Sequence, residues 1–303
     1  MNIGFVTYYS KEIVEFAGKA GFDCLEVSVR KGSSLDLDRL KEKDLEAVLE
    51  DFRSNGVKIG TLTCSTNHLE GDPSKRRENN AYFNKAIKLC RKFGTDILTT
   101  NAWGDKSKTP SENIGTYKEV FTEYAKAAAD EGVRIALENC PHWLGYPMTI
   151  GNISFSPEMW DALFEAVPSK AVGLEFDPSH LFWMGIDCVK AVRDYGERIY
   201  AFHAKDTEII KEKRDRYGIA GKQIGKESEW DSGWWRYRLP GLGMIDWKGV
   251  FNALYDIDFT GPLIIEHEDP VFGGDRSENG LDLGPKTETG LKLGLRYLRQ
   301  FML

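Results

Sequence analysis

A short apolar run of β character recurs eight times along the 303 residues, each time followed by a stretch of helical periodicity. This alternation limits the fold more than any other feature of the chain. The runs are 2–8, 24–29, 58–64, 96–101, 134–139, 172–177, 199–206 and 262–268. Between or after them, KEIVEFAGKAGF, DLEAVLEDFRSNG, NAYFNKAIKLCRKFG, YKEVFTEYAKAAADEG and LKLGLRYLRQF place apolar residues three and four apart, the spacing of one helix face. Three of these segments end on a Gly suited to a helix C-terminus. From the second to the sixth, the β runs begin at residues 24, 58, 96, 134 and 172, intervals of 34, 38, 38 and 38. Such regularity predicts an α/β fold, a (β/α)₈ TIM barrel made by residues 1–303 as a single domain. It breaks once, where 63 residues separate the starts of the seventh and eighth runs. The excess, 207–243, is rich in charge, Gly and Trp and reads as a long insertion loop after strand seven. A loop of that length predicts a lid or specificity loop, with an oligomer contact as the second reading.

Composition narrows the partners. With 41% hydrophobic and 29% charged residues the chain has the ordinary means to bury a large core. Its 40 Lys and Arg against 47 Asp and Glu give a formal charge of −7, which argues against a nucleic-acid backbone as ligand. The start, MNIGFVTYYSKEIVEF, has no secretory pattern, and no apolar run reaches the roughly 18 residues of a membrane span. The five Cys are odd in number, widely spaced and contain no CxxC pair, so neither a disulfide framework nor a thiolate zinc site is predicted. A soluble cytoplasmic protein with no membrane partner is the expectation.

In a barrel of this kind the chemistry sits at the C-terminal ends of the strands. Strand five ends IALEN with Glu138, strand six GLEFD with Glu175 and Asp177; strand seven, YAFHAKD, carries His203 and Lys205, and strand eight, LIIEHE, carries Glu266 and Glu268. One carboxylate at a strand end is ordinarily a salt-bridged structural residue. Ionisable groups at four consecutive strand ends are another matter, because converging carboxylates repel by several kcal/mol unless a cation offsets them. Three carboxylates and one imidazole form a fairly hard donor set, suited to Mn²⁺ or Mg²⁺, with Co²⁺ or Zn²⁺ as further candidates. A metal with open positions would chelate a carbonyl and a neighbouring hydroxyl, acidifying the C–H between them, while one carboxylate removes the proton and another returns it.

The segments IALENCPHW, GLEFDPSHLFWMGID, IYAFHAKDTEI and LIIEHEDP resemble successive motifs of the sugar phosphate isomerase/epimerase superfamily, the xylose isomerase-like TIM barrels. The resemblance covers nearly the whole chain, and DPSH with HAKDTE is specific to one branch. It implies a single divalent metal, commonly Mn²⁺, held by Glu138, Asp177, His203 and Glu266. It also implies that Glu138 and Glu266 form the acid/base pair on opposite faces of a sugar, with His180 in contact with substrate. Relatives of the ketose 3-epimerase type carry a further Glu six residues after the first metal Glu and an Arg six residues after the metal His; here Leu144 and Ile209 stand there. Those departures point away from simple free-ketose 3-epimerisation, and the branch with DPSH and HAKDTE resembles enzymes of 3-keto sugars and glycosides, where epimerisation or β-elimination is the reaction.

Further substrate candidates are Lys205, as a cationic donor or a partner of Glu175, together with His142, Asn67 and His68 in loops after strands five and three. His267 alternates away from Glu266 and Glu268 and is expected to face the helices. Trp103, Trp143, Trp183, Trp230, Trp234 and Trp235 fall in expected loops at the mouth, where flat rings stack on sugar C–H surfaces and exclude water. Trp160 and Trp247 belong to helices. The stretch DPVFGGDRSENG offers a Gly pair and Arg276 but no phosphate loop. A small sugar is thus the expected partner. Relatives are often dimers or tetramers, so a homo-oligomer is an expectation as well. Two readings of other classes stand beside the enzyme: a non-catalytic sugar-binding subunit, and a zinc endonuclease of the same superfamily, which would want more than 5 His and a basic groove.

Overall fold

The computed structural model describes residues 1–144, 149–225, 232–273 and 281–302. Eight parallel strands close into a barrel: β1 (Asn2–Tyr8), β2 (Cys24–Ser28), β3 (Lys58–Thr63), β4 (Ile97–Thr100), β5 (Arg134–Glu138), β6 (Val172–Phe176), β7 (Ile199–His203) and β8 (Pro262–Ile265). Each pairs with its sequence neighbour, and β1 closes the ring on β8 through Asn2↔Pro262 to Phe5↔Ile265. All eight lie on the runs read from the sequence. The strands are buried along most of their length, as expected where a barrel interior and a helical coat cover both faces.

The helices begin and end where local chemistry directs. Ser10 caps α1 (Lys11–Ala20) by accepting from the Ile13 N–H, and Gly21 closes it at φ +86°. Asp72 caps α3 (Pro73–Cys90), whose Pro sits at the tolerant first position. With α2 (Glu42–Ser54), α4 (Ile114–Asp130), α5 (Pro157–Ala166), α6 (Pro178–Met184) and α7 (Cys188–Asp194), they coat the outside of the barrel as far as strand seven. After it come α8 (Lys211–Tyr217), α9 (Trp247–Asp256) and α10 (Pro285–Arg299). Trp160 in α5 and Trp247 in α9 are fully buried, as their helical spacing foretold.

The region after β7 differs from the sequence reading. Strand seven ends at His203 rather than running to Asp206, and the insertion is not a plain loop. Asp206–Ile209 pairs antiparallel with Trp235–Arg238, α8 lies between the two strands, and residues 226–231 are outside the described residues. The buried Asp206 carboxylate explains the turn: it accepts from the Thr207, Gly241 and Ile245 N–H groups and from the Trp247 indole at 2.8–3.1 Å. Among the described residues no helix is long and apolar enough to cross a membrane, and all five Cys are free thiols.

Candidate active site

Glu138 is the last residue of β5, and its backbone carbonyl accepts from Asn152 Nδ2 and Ser154 Oγ, both at 2.8 Å. Asn139 then ties strands five and six together: its side chain accepts from the Asp177 N–H at 2.7 Å and donates to the Asp177 carbonyl at 2.8 Å. Asp177 is the N-cap of α6, spending Oδ1 on the Ser179 N–H and leaving Oδ2 without a hydrogen bond. His203 closes β7, and Glu266 follows β8 directly.

These four side chains converge. His203 Nδ1 lies 3.2 Å from Glu266 Oε2, 3.6 Å from Glu138 Oε1 and 3.8 Å from Asp177 Oδ2, yet makes no hydrogen bond. Donor atoms each about 2.0–2.2 Å from one shared ion stand roughly this far apart. One donor of each of the four residues lies within 4.8 Å of the others. A buried imidazole nitrogen that makes no hydrogen bond while facing three carboxylate oxygens fits a divalent metal better than a hydrogen-bonded cluster.

Around this cluster the structure adds Glu26, Thr61, Asn101 and Ser65, which the sequence did not single out. On its far side His203 Nε2 sits 3.3 Å from Glu175 Oε1 and 3.5 Å from Glu26 Oε1, and Thr61 donates to Glu26 at 2.6 Å. Burial, reinforced by the Glu26 charge, pushes the Glu175 carboxyl well above the usual range. The two carboxylates lie behind the His203 ring, the place from which carboxylates orient metal-binding histidines. Asn101 donates to Glu138 Oε2 at 2.7 Å and accepts from Ser65, which accepts from the Trp103 indole at 2.8 Å.

Lys205 reaches the site but not the partner expected of it. Its Nζ is 2.5 Å from Glu266 Oε2, 3.1 Å from Glu268 Oε2 and 3.2 Å from Asp177 Oδ2, while Glu175 is engaged with His203. Burial works against its charge, but those three carboxylates hold its pKa well above the ordinary value. The opposite holds at Asp177: burial would raise it, and the Lys205 ammonium and His180 keep it well below the carboxylate range. His180, 1% exposed, places Nε2 3.3 Å from Asp177 Oδ2 and 3.5 Å from Glu138 Oε1, and Nδ1 2.8 Å from the Tyr237 hydroxyl. Tyr237 comes from the insertion, and the Lys205 ammonium lies over its ring at 4.3 Å.

Other sequence candidates divide. His142 stacks on Trp103 at 4.0 Å and lines the cavity, as do Trp143 and Trp183; Trp183 is carried by α6 rather than by a loop. Trp235 joins them, stacked on Trp183 at 4.8 Å and 8°. Trp234 is buried and contributes no wall, while Trp230 and Arg276 lie outside the described residues. His68 does not reach the mouth. It is enclosed by Phe83, Phe121 and Tyr124 and hydrogen-bonded to Thr100 and Tyr124. Asn67 turns to Glu70 at 3.2 Å and lines neither cavity at the site. The loop after β3 packs onto α3 here, with Asn79 donating to the Asn67 carbonyl at 2.9 Å and the His68 ring against Phe83. His267 is buried beside α10, as its strand parity foretold.

A closed parallel (β/α)₈ barrel with carboxyl and imidazole side chains converging at the C-terminal ends of four consecutive strands defines the class. More particularly, the chain belongs to the xylose isomerase-like TIM barrel family, whose model it matches over residues 14–301. Among curated proteins it is similar to an inosose isomerase of Bacillus velezensis, 27% identical over 257 residues that cover 84% of this chain and 82% of the relative. Among solved structures it shares its fold with a D-psicose 3-epimerase determined in the presence of D-fructose, with TM-score 0.71, 17% identity and 100% and 99% of the two chains covered. The IolI protein with a bound zinc atom aligns at TM-score 0.68 and 20% identity, covering 99% of this chain and 96% of the other.

Proposed function

We propose that this chain is a divalent-metal-dependent sugar isomerase or epimerase that moves a proton on a carbon next to a carbonyl. The observation that carries the reading is the convergence of Glu138, Asp177, His203 and Glu266 with unsatisfied buried donor atoms at its centre. Those four residues would hold the ion; Mn²⁺ suits the three-oxygen, one-nitrogen set, and Mg²⁺, Co²⁺ or Zn²⁺ are the alternatives. A bound divalent ion supplies Lewis acidity that lowers the cost of removing the adjacent C–H proton.

The remaining work falls to side chains. Glu138 is the base: Asn101 fixes one of its oxygens, leaving the other turned into the site. Glu266, aligned by Lys205, returns the proton. Lys205 is the cationic donor beside a substrate oxygen as negative charge develops on it, and Lys205 and Tyr237 together hold the His180 ring in place. The indoles around them exclude water from the carbanionic species. Return of the proton to the opposite face gives an epimer, and return to the neighbouring carbon gives an isomer.

The test is turnover in D₂O of a panel of inososes, free ketoses, sugar phosphates and 3-keto glycosides. One product carrying a single carbon-bound deuterium supports the reading. Loss of water or of an aglycone in place of rearrangement would move the enzyme to the β-elimination class, and a protein inert to every substrate and indifferent to chelator would defeat the proposal.

A further inference from the structure

Lys205 is 1% exposed, and its ammonium is enclosed on several sides. Carboxylate oxygens of Glu266, Glu268 and Asp177 surround Nζ at 2.5, 3.1 and 3.2 Å. His180 Nε2 stands 3.2 Å away, and the Tyr237 ring, from the insertion, faces the ammonium at 4.3 Å. A surface lysine turns its charged head out to water. Held in this way, Lys205 keeps its charge inside the site.

Two of the oxygens that hold it are also the ones turned to His203. Glu266 Oε2 lies 3.2 Å and Asp177 Oδ2 3.8 Å from His203 Nδ1. The ammonium therefore shares two donor atoms with the group of four that converges on the candidate metal position. An ion bound to either oxygen is one atom removed from a fixed positive charge, and like charges so close in a buried site repel strongly. The same ammonium offsets the mutual repulsion of Asp177, Glu266 and Glu268, which would otherwise fall on the folded protein alone.

We propose that Lys205 is a built-in counter-ion of the metal centre, which holds the Asp177 and Glu266 carboxylates together and thereby makes the centre bind its ion weakly enough to exchange. This inference rests on the metal reading above and assigns a residue that tunes the centre without ligating the ion. A lysine whose work was only to align ligands would strengthen metal binding; a counter-ion weakens it. The two roles differ in sign.

Calorimetric titration of Mn²⁺ into chelator-treated wild type, Lys205→Met, Lys205→Gln and Lys205→Arg, with thermal scans of each protein in chelator and in Mn²⁺, tests it. Lys205→Met and Lys205→Gln should bind Mn²⁺ at least about tenfold more tightly than the wild type, and Lys205→Arg, which restores the charge, should return to within about threefold of it. In chelator the two neutral variants should melt below the wild type, and the rise in Tm on adding Mn²⁺ should be larger for them. A neutral variant that folds only with Mn²⁺ present supports the proposal, because the bound ion then replaces the lost ammonium. Unchanged or weaker Mn²⁺ binding in the neutral variants overturns it, as does failure of both to fold even with Mn²⁺. A wild type that takes up none of Mn²⁺, Mg²⁺, Co²⁺ and Zn²⁺ defeats the metal reading together with this one, whereas uptake that is indifferent to residue 205 defeats this one alone.

Discussion

At the scale of single residues, the site depends on how its buried charges are balanced. Glu138→Gln keeps the shape of the side chain and its Asn101 contact but removes the base, so kcat should fall by about 10²–10⁴ with circular dichroism and Tm little changed. Full turnover in that variant would remove Glu138 from the role of base. His68, away from the site, has a different role. Burial pushes its pKa down to about 3, against about 6.5 in an unfolded chain. Above pH 6.5 the ring is neutral in both states and its packing is fully stabilising. As pH falls from there, the unfolded chain takes up a proton that the folded chain refuses, and stability drops. Between pH 7.5 and 5 this amounts to about 2 kcal/mol, so the urea midpoint of the wild type should fall further over that range than that of His68→Gln. The strand-end residues were legible in the sequence because each was an ionisable group in an apolar run. Glu26 was not, because a single acid inside LEVS carries no sign that Thr61 and His203 lie opposite it.

At the scale of elements, the insertion between β7 and β8 is the part that departs most from a repeating βα unit. Arg236 and Arg238 alternate to one face and pair with Glu208 at 2.7 and 2.6 Å, and Arg238 also reaches Asp269 at 2.8 Å. Trp235 and Tyr237, which alternate with them, line the cavity. That i, i+2 division is visible in WRYR, but only as a strand, and the charge-rich flanks hid it. Asp206 holds the base of the insertion with four accepted hydrogen bonds, so Asp206→Ala should cost about 2–4 kcal/mol by urea unfolding. Because the same change loosens the Tyr237 contact with His180, KM should rise more than the stability loss alone explains. An Asp206→Ala protein with unchanged stability and kinetics would show that the insertion is held elsewhere.

At the scale of the whole molecule, the barrel brings together four carboxyl and imidazole groups from positions 138, 177, 203 and 266 of the chain, and no local segment could do so. The folded state carries the cost of that convergence, which a bound cation offsets only when the barrel is formed. Mn²⁺ at a thousandfold excess over its Kd should therefore stabilise the protein by about 4 kcal/mol, and Tm measured by calorimetry should rise with metal and fall with chelator. A Tm indifferent to both would remove the metal from the site. The sequence by itself determined the barrel, because a period of about 38 residues between apolar runs is a property of the chain alone. It also determined which four side chains converge, since strand ends in such a barrel share one mouth. What only the tertiary structure decided was what surrounds those side chains: that Lys205 faces Glu266 and not Glu175, that His68 is locked among helices, and that Trp235 and Tyr237 complete the wall. These depend on where a loop turns and on which side of a strand it returns, and contacts between distant residues, not local propensity, set that choice.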